Sequence, residues 1–475
     1  MSIVNEIDEI APTDAAQDIH RLIERARRAQ AVAEGYSQER VDELIRGMVW
    51  AVSRPGVAEK IAQHTVEETR LGDYNGKFTK IYTKCRAALM DILPDKSVGV
   101  IEVDEERNII KIAKPAGVIG ALTPSTNPEA TPVIKAINAV KGRNAIIIAP
   151  HPRAKRTNAM IVQLMRDALD KLGAPEDLVI AIEEPTLEKT QELMRQCDLI
   201  LATGGPAMVK AAYSSGKPAL GVGAGNAVIT VDDTADIRFA AEKIRISKTF
   251  DLAASCSADN SVLAFDAVYD QLLEALIDEG GYLANHDEYR KIAAVLWEDG
   301  HLNAACVVKR PQVIAEMAGF SIPEDRKFII MPETGVGPDH PYSGEKLSAI
   351  MAFYRVRDID EAIALTNAIH DYQGKGHSCG IYSNDEDNIL KYALGTRTAR
   401  VMVNQPQAPS NSGNLWNGMR QTFSLGCGTW GNNITTENIY WRHLVNITYV
   451  SKPLPVPKVL PPDEELFGDV IEKLK

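Results

Sequence analysis

The sequence predicts an α/β protein with two parallel, helix-covered sheets and one separate β-hairpin. From residue 117 onward, short apolar runs alternate with helical segments, and a second stretch with the same alternation begins near residue 232. Such alternation is typical of strand–helix–strand units, in which a helix returns the chain to a parallel neighbouring strand. Two short strands joined by a polar turn, at 98–103 and 109–112, predict the hairpin.

The first part of the chain, residues 15–92, is predicted to be helical. Between Ser37 and Val52 the apolar residues recur at the spacing of one helix face, and Ser37 is an expected N-cap. The residues on that face are Val41, Leu44, Ile45, Met48 and Val49.

The two alternating stretches predict the strands and helices of two α/β domains. In the first stretch, strands are expected at 118–122, 145–149, 178–182, 199–202 and 227–231, with helices at 130–141, 155–172, 187–196 and 206–215. In the second, a helix is expected at 235–248 and strands at 262–265, 327–331, 352–356, 380–382 and 400–403. A last strand at 446–450 leads into a proline-rich tail. Sheets of this type bind nucleotides at the carboxyl ends of their strands, although no G-x-G-x-x-G stands at the first turn.

Composition and charge exclude several classes of protein. The formal charge of −12 argues against general nucleic-acid binding, and no apolar run reaches the ~18 residues of a membrane helix. Residues 1–13 lack the apolar region of a secretory signal. The six cysteines are scattered without a C-x-x-C pair, which favours free thiols in a reducing cytoplasm. No metal site is expected.

Cys256 is the candidate nucleophile. It lies among small residues in the segment 250–260, between an expected helix and an expected strand. A thiolate attacks carbonyl carbon readily, and small neighbours leave room for a substrate. The alternative is a buried cysteine in a tight turn, which acts only as a small apolar residue.

Several runs together resemble the aldehyde dehydrogenase superfamily, in order and in spacing. They are the segment 115–128 with Asn127 before Pro128, the turn Thr203-Gly204-Gly205, and the segment 345–352 beginning at Glu345. The resemblance implies that Cys256 is the nucleophile and that the Asn127 amide and the Cys256 N–H hold the oxyanion. It also implies that Glu345 binds the nicotinamide ribose. The cofactor-binding residues that it implies are Thr123, Pro124, Ser125, His151, Pro152, Arg153, Thr203, Gly204, Gly205, Gly223 and Glu345.

Other runs resemble the coenzyme A-acylating branch of that superfamily. They are 150–155, 223–226, 335–341, Gly376-His377 and 425–431. Hydrolytic members carry a glutamate that activates the deacylating water, and Gly221 occupies the matching position here. Glycine cannot act as a base, so a thioester on Cys256 is expected to persist until the coenzyme A thiol takes the acyl group.

The roles of two further side chains stay open at this point. His377 could assist proton transfer, because its unperturbed pKa is near neutral, or it could be a structural histidine. Cys427 lies between two glycines and is a rival thiol, but the branch resemblance implies that it lines the substrate site together with Thr429.

The resemblance also implies the domain roles and a homo-oligomer. A nucleotide-binding domain is expected over 1–97 and 114–231, and a catalytic domain over 232–439. The hairpin and tail, 98–113 and 440–475, are expected to exchange between subunits of a homodimer or homotetramer, because unpaired strand edges invite pairing.

The cofactor and the aldehyde are less closely defined. Where the family carries a glutamate that repels a 2′-phosphate, Ala154 stands beside Arg153, Lys155 and Arg156. These charges favour NADP over NAD, although a solvated basic helix start is the alternative.

Within the branch, the segments 96–102, 112–115 and 124–132 most resemble members that oxidise sulfoacetaldehyde to sulfoacetyl-CoA. Acetaldehyde and succinate semialdehyde are the alternatives. Arg420, Arg442 and His443 are candidate partners for a sulfonate, or else surface cations. A hydrolytic enzyme and a catalytically silent nucleotide- or CoA-binding protein are the competing functions.

Overall fold

A computed structural model describes residues 13–474 of the chain, so the prediction for the first twelve residues lies outside the described part. The chain begins with helices, as predicted. They are α1 (Asp14–Ala33), α2 (Gln38–Ser53), α3 (Val57–Thr69), α4 (Tyr74–Thr79) and α5 (Cys85–Ile92), with a π-helical turn at Lys80–Lys84 between the last two. The Ser37 side chain accepts a hydrogen bond from Arg40 N and caps α2, whose predicted apolar face is buried. None of the helices between residues 13 and 474 is long and apolar enough to cross a membrane.

The first parallel sheet has five strands in the order β5-β4-β3-β6-β7. Its strands are β3 (Val118–Thr123), β4 (Ala145–Pro150), β5 (Val179–Ala181), β6 (Leu199–Thr203) and β7 (Ala219–Val222). Its helices are α6 (Thr131–Lys141), α7 (Lys155–Lys171), α8 (Leu187–Gln196) and α9 (Pro206–Tyr213). Every residue of β3 and β4 is buried, as expected for strands that are covered by helices on both faces.

The second parallel sheet has seven strands in the order β10-β13-β14-β9-β8-β15-β16. Its strands are β8 (Ala227–Val231), β9 (Asp259–Phe265), β10 (Gly281–Leu283), β13 (Phe328–Pro332), β14 (Ile350–Val356), β15 (Cys379–Tyr382) and β16 (Val401–Val403). Its helices are α10 (Ile237–Thr249), α11 (Tyr269–Asp278), α12 (His286–Leu296), α13 (Pro311–Met317), α14 (Ile359–Tyr372), α15 (Glu386–Gly395) and α16 (Gln407–Ser410), and β11 (Trp297–Glu298) with β12 (His301–Leu302) forms a small ribbon. Two apolar clusters cover its two faces.

The structure differs from the sequence expectation where the two sheets meet. The segment 227–231 was expected in the first sheet, but it pairs in parallel with β9 and β15 of the second. The edge place in the first sheet is taken instead by β7, a four-residue strand that the sequence analysis did not predict. Both strands are buried apolar runs, so their composition does not reveal which sheet each one joins.

A separate antiparallel sheet joins the hairpin to the end of the chain. It consists of β1 (Gly99–Asp104), β2 (Ile109–Pro115) and β17 (Val445–Ser451), with β2 in the centre. Within this one chain β17 pairs with β2 along its whole length. Two short helices, α17 (Asp463–Phe467) and α18 (Asp469–Leu474), follow the proline-rich tail and are exposed.

Candidate active site

A cavity of about 590 Å³ opens at the carboxyl ends of β3, β4, β6 and β7 and extends to the loop that carries Cys256. The carboxyl edge of a parallel sheet is where such folds bind nucleotides. The predicted site residues that line the cavity are Thr123, Pro124, Ser125, Asn127, His151, Pro152, Thr203, Gly204, Gly205, Gly223, Cys256 and Glu345. Most of the site residues that the sequence analysis predicted from separate motifs therefore line one cavity.

The Cys256 loop is held in an unusual backbone conformation. Three consecutive non-glycine residues before it, Asp251, Leu252 and Ala253, have left-handed φ values of 49°, 53° and 60°. This region is unfavourable for side chains with a Cβ atom and persists only when the surroundings impose it. Asp251 supplies such a constraint, because its buried carboxylate accepts hydrogen bonds from Asp73 N at 2.9 Å and from Lys77 Nζ at 2.8 Å. The turn that presents the thiol is thus tied to helix α4.

Gly225 supports the same loop from the other side. A Cβ atom at this position would lie 1.9 Å from the Cys256 carbonyl oxygen, a distance that no side chain can tolerate. The backbone of residue 225 must therefore approach the nucleophile loop directly, which only glycine permits.

His377 lies against the Cys256 thiol. Its Nε2 is 3.2 Å from Cys256 Sγ, and its Nδ1 is 2.8 Å from Ser378 Oγ. Burial, with the nearby Arg400 charge, lowers the pKa of His377 to about 3, so the imidazole is neutral. Burial also raises the pKa of Cys256 to about 12, and the nearby Glu345 adds to this effect. The resting pair is therefore a neutral thiol in hydrogen-bond contact with a neutral imidazole.

Arg400 is a buried cation that the sequence analysis missed. Its guanidinium donates to the backbone oxygens of His377, at 2.9 Å, and Gly426, at 2.6 Å. Its positive charge acts to lower the pKa of the Cys256 thiol, against the effect of burial. No feature of the local sequence around residue 400 indicates this, because the contact joins residues far apart in the chain.

The Asn127 side chain is oriented by a lysine. Lys80 Nζ donates to Asn127 Oδ1 at 2.5 Å, and Lys77 Nζ donates to Thr126 O at 2.5 Å. With its oxygen occupied, the Asn127 amide has its NH₂ group available; its hydrogen bond to Thr126 Oγ1 is long, at 3.4 Å. An amide held in this way can donate to an oxyanion without reorganising.

Glu345 is the one acidic residue among those that line the cavity in the described part of the chain. Burial raises its pKa to about 8, although a hydrogen bond from the Gly225 N–H opposes the shift.

Gly221 is buried within β7, where an added Cβ atom would lie 2.7 Å from both Val209 and Tyr213. A side chain at the position that the sequence matched to the hydrolytic glutamate would therefore require Val209 and Tyr213 to shift.

Five predicted site residues do not line the cavity: His377, which lies behind the Cys256 thiol, and Arg153, Arg420, Cys427 and Thr429. Arg153 and Thr429 are exposed on the surface. Cys427 is buried behind Gly223, with its Sγ directed at Leu425 O at 3.6 Å. Cys427 therefore lies near the site, but it does not line the cavity.

The three cations expected to bind a sulfonate are already paired with carboxylates. Arg420 contacts Asp91 and Asp95, each at 3.2 Å. Arg442 pairs with Glu102 at 3.5 Å, and His443 with Glu437 at 3.1 Å. The sequence alone does not reveal the partner of a cationic side chain. Here the partners of Arg420 lie in the N-terminal helical region, the partner of Arg442 lies in the hairpin, and the partner of His443 lies on a neighbouring loop.

Comparison with known proteins agrees with this geometry. The model of the aldehyde dehydrogenase family matches residues 5–290. A sulfoacetaldehyde dehydrogenase (acylating) of Bilophila wadsworthia is 40% identical over 462 residues, which cover 96% of this chain and 99% of that protein. A succinate-semialdehyde dehydrogenase (acetylating) of Clostridium kluyveri is 39% identical over 454 residues, which cover 95% of this chain and 99% of that protein.

A solved structure extends the likeness to the fold. The propionaldehyde dehydrogenase of Rhodopseudomonas palustris, crystallised with CoA and an acylated cysteine, superposes with a TM-score of 0.79 at 29% identity over 91% of this chain and 97% of its own. The chain is near 40% identical to these relatives along almost its whole length. It also carries a cysteine in a cavity at the carboxyl ends of parallel strands, where such folds bind nucleotides. Together these findings identify it as an oxidoreductase. The chain belongs to the aldehyde dehydrogenase family, in its acylating branch.

Proposed function

We propose that this protein oxidises a short aldehyde with a nicotinamide cofactor and transfers the acyl group from Cys256 to coenzyme A. The observation that carries the proposal is the pairing of Cys256 with His377 at the end of a cavity in which Glu345 is the one acidic wall residue of the described chain. Such a site can form a thioester but has no carboxylate at position 221 to activate water.

The first step is the addition of the thiol to the aldehyde. The Cys256 Sγ forms a bond to the carbonyl carbon while its proton passes to His377 Nε2, which lies 3.2 Å away. The carbonyl oxygen becomes an oxyanion that accepts from Asn127 Nδ2 and from the Cys256 N–H. Loss of one such donor typically lowers the rate by ~10²–10³-fold. When bound, the nicotinamide accepts the hydride from the thiohemiacetal carbon.

The second step releases the acyl group. After the proton of the first step has passed to solvent, the coenzyme A thiol gives its proton to His377 as its sulfur bonds to the thioester carbon, and Cys256 leaves as a thiolate that takes this proton from His377. Arg400 stabilises this leaving thiolate by its charge. Without a carboxylate at position 221, hydrolysis lacks the general-base assistance that is commonly ~10²–10⁴-fold.

The cavity has features that fit a dinucleotide. Gly205 caps α9, and Gly204, Gly205 and Pro206 line the cavity, so the N-terminus of that helix borders the space where a pyrophosphate would lie. A Cβ atom at Gly205 would meet no protein atom within 4 Å. The exposed Arg153, next to the cavity-lining Pro152, supports a preference for NADP, whereas Lys155 is paired with Glu184 and Arg156 with Glu68.

The aldehyde that we propose is sulfoacetaldehyde, with sulfoacetyl-CoA as the product. Support comes from the likeness to the Bilophila wadsworthia protein, which carries that name. The similar likeness to the succinate-semialdehyde enzyme makes succinate semialdehyde the second candidate, and acetaldehyde is the third.

The test is the formation of NADPH or NADH with each of these aldehydes, with and without coenzyme A. We expect sustained turnover only with coenzyme A, a higher kcat/KM with NADP⁺ than with NAD⁺, and no turnover in Cys256→Ala. Sustained turnover without coenzyme A would indicate a hydrolytic enzyme. Activity that survives in Cys256→Ala would refute the cysteine mechanism, and inactivity of the wild type towards all three aldehydes would refute the proposed function.

A further inference from the structure

Three lysines lie on one buried face of the helix that borders the cavity. Lys77, Lys80 and Lys84 are 0%, 1% and 6% exposed. They stand at positions i, i+3 and i+7, and the π-helical turn from Lys80 to Lys84 widens the helix at this place. Interruptions of this kind are frequent at functional sites, and buried ammonium groups are costly unless something compensates their charge.

Two of the three lysines are compensated by carboxylates. Asp251 pairs with both Lys77 and Lys80, and Glu129 lies 3.9 Å from the first and 4.0 Å from the second. The two lysines and two carboxylates form a cluster without formal net charge, and this cluster orients Asn127 and the Cys256 loop. Its role is therefore accounted for by the architecture of the site.

Lys84 has no such partner. Its ammonium donates to Gly413 O, to Pro409 O at 3.2 Å and to Gln421 Oε1 at 3.3 Å, all of them uncharged acceptors. Across residues 13–474 no carboxylate pairs with it, and burial lowers its pKa to about 7. These three bonds use all three N–H groups, so an anion beside the ammonium would act through its charge or replace one of the two longer bonds. It would hold the ammonium in the charged form, since opposite charges stabilise each other in a poorly solvated site.

Lys84 also lines the same cavity as Cys256, Asn127 and Lys80. It follows Lys80 by four residues, through the π-helical turn, on the same buried face. Lys80 contacts the Asn127 amide, and Lys84 lines the same cavity about one helical turn further along the chain. The cavity that holds the nucleophile is thus lined by an ammonium that no carboxylate of residues 13–474 compensates.

We propose that Lys84 binds the anionic end of the substrate aldehyde, a sulfonate or carboxylate separated from the aldehyde carbon by one or two methylene groups. This inference rests on the proposed function and defines its substrate class. The candidates of that class, sulfoacetaldehyde and succinate semialdehyde, both carry a full negative charge at this end. Arg420 is not available for the role, because Asp91 and Asp95 already compensate it.

The experiment compares kcat/KM for sulfoacetaldehyde and succinate semialdehyde with kcat/KM for the neutral propionaldehyde, in wild type, Lys84→Met and Lys84→Arg. Hydrogen bonds to charged groups contribute about 1.5–3 kcal/mol, so we expect the anionic-to-neutral ratio to fall roughly 10- to 100-fold in Lys84→Met, mainly through KM. Lys84→Arg should retain part of the preference. The anion whose ratio falls further identifies the better ligand.

Lys135 offers a matched control. It is buried, donates to Leu122 O at 2.6 Å and Leu201 O at 2.9 Å, and does not line the cavity. Lys135→Met should lower the melting temperature without changing the ratio. If Lys84→Met lowers kcat/KM for all aldehydes equally, Lys84 only caps backbone carbonyls and the inference is wrong.

A measurement on the wild-type enzyme keeps the inference testable if Lys84→Met does not fold. Ethanesulfonate or propionate should inhibit propionaldehyde oxidation competitively, whereas the neutral propionamide should not. Equal inhibition by the neutral and the charged compounds would overturn the inference. Oxidation of propionaldehyde would still support the proposed function, so the two can fail separately.

Discussion

The most consequential property of a single residue in this protein is the resting state of Cys256. Many catalytic cysteines are preformed thiolates whose pKa is lowered by a nearby cation or a helix N-terminus. Here burial and Glu345 raise the pKa, Arg400 opposes them only in part, and His377 is held neutral. The thiol is therefore expected to lose its proton only when a substrate arrives.

This state predicts the pH dependence of alkylation by iodoacetamide. Because the pKa of Cys256 is raised to about 12, its reaction rate should rise roughly tenfold per pH unit from pH 7 to 10, without reaching a plateau. The rate is measured in wild type and corrected with Cys256→Ala, which reports the other five cysteines. A plateau below pH 8 would show a preformed thiolate and contradict the neutral pair.

At the scale of elements, the segment between β7 and β8 connects the two parallel sheets and supports the Cys256 loop. It leaves the first sheet at Val222, enters the second at Ala227, and carries Gly225 against the Cys256 loop. The sequence located this glycine-rich run and its missing carboxylate. It did not reveal that the run crosses between two sheets, because strand pairing depends on residues far away in the chain.

Gly225→Ala tests that contact. The added methyl group would collide with the backbone of Cys256, so the loop must move, and we expect a fall in kcat of roughly 100-fold or more, since misplacement by about 1 Å has that effect. Gly418→Ala is the control, because a Cβ atom there meets nothing within 4 Å. Thermal unfolding of both variants shows whether the loss is local. Activity of Gly225→Ala equal to that of the control would mean that the loop tolerates displacement.

At the scale of the whole molecule, the three-stranded sheet leaves unpaired edges. The edge strands β1 and β17 expose Val100, Val103 and Tyr449, which are 48%, 58% and 62% exposed in the single chain. Exposed apolar edges favour pairing with another chain. We therefore propose that the protein forms a homodimer or homotetramer through this sheet.

The prediction is a dimeric or tetrameric mass by size-exclusion chromatography with light scattering. Val103→Lys places a charge on the exposed edge and should shift the population to smaller species. Lys291→Ala, a change at an exposed side chain of α12 with an ion pair only to Asp287, should leave the mass unchanged. A monomeric mass for the wild type would contradict the proposal.

The sequence by itself determined the alternation of strands and helices, the N-terminal helices, the hairpin, and the segment that carries Cys256. These features depend on periodicity and on residues close together in the chain, so local physical chemistry is sufficient to predict them. The sequence also showed that position 221 carries no carboxylate, because a glycine there cannot act as a general base in any fold.

Only the tertiary structure decided which distant groups meet. It brought His377 to Cys256 across 121 positions, paired Arg420 with Asp91, and left Lys84 without a counter-ion in the cavity. In the sequence, three lysines at helical spacing are typical of a solvated helix face. Their burial, and the compensation of two of them by Asp251, depend on how α4 packs against the Cys256 loop. A charge acquires its function from its partners and its exposure to water, and packing of remote segments determines both.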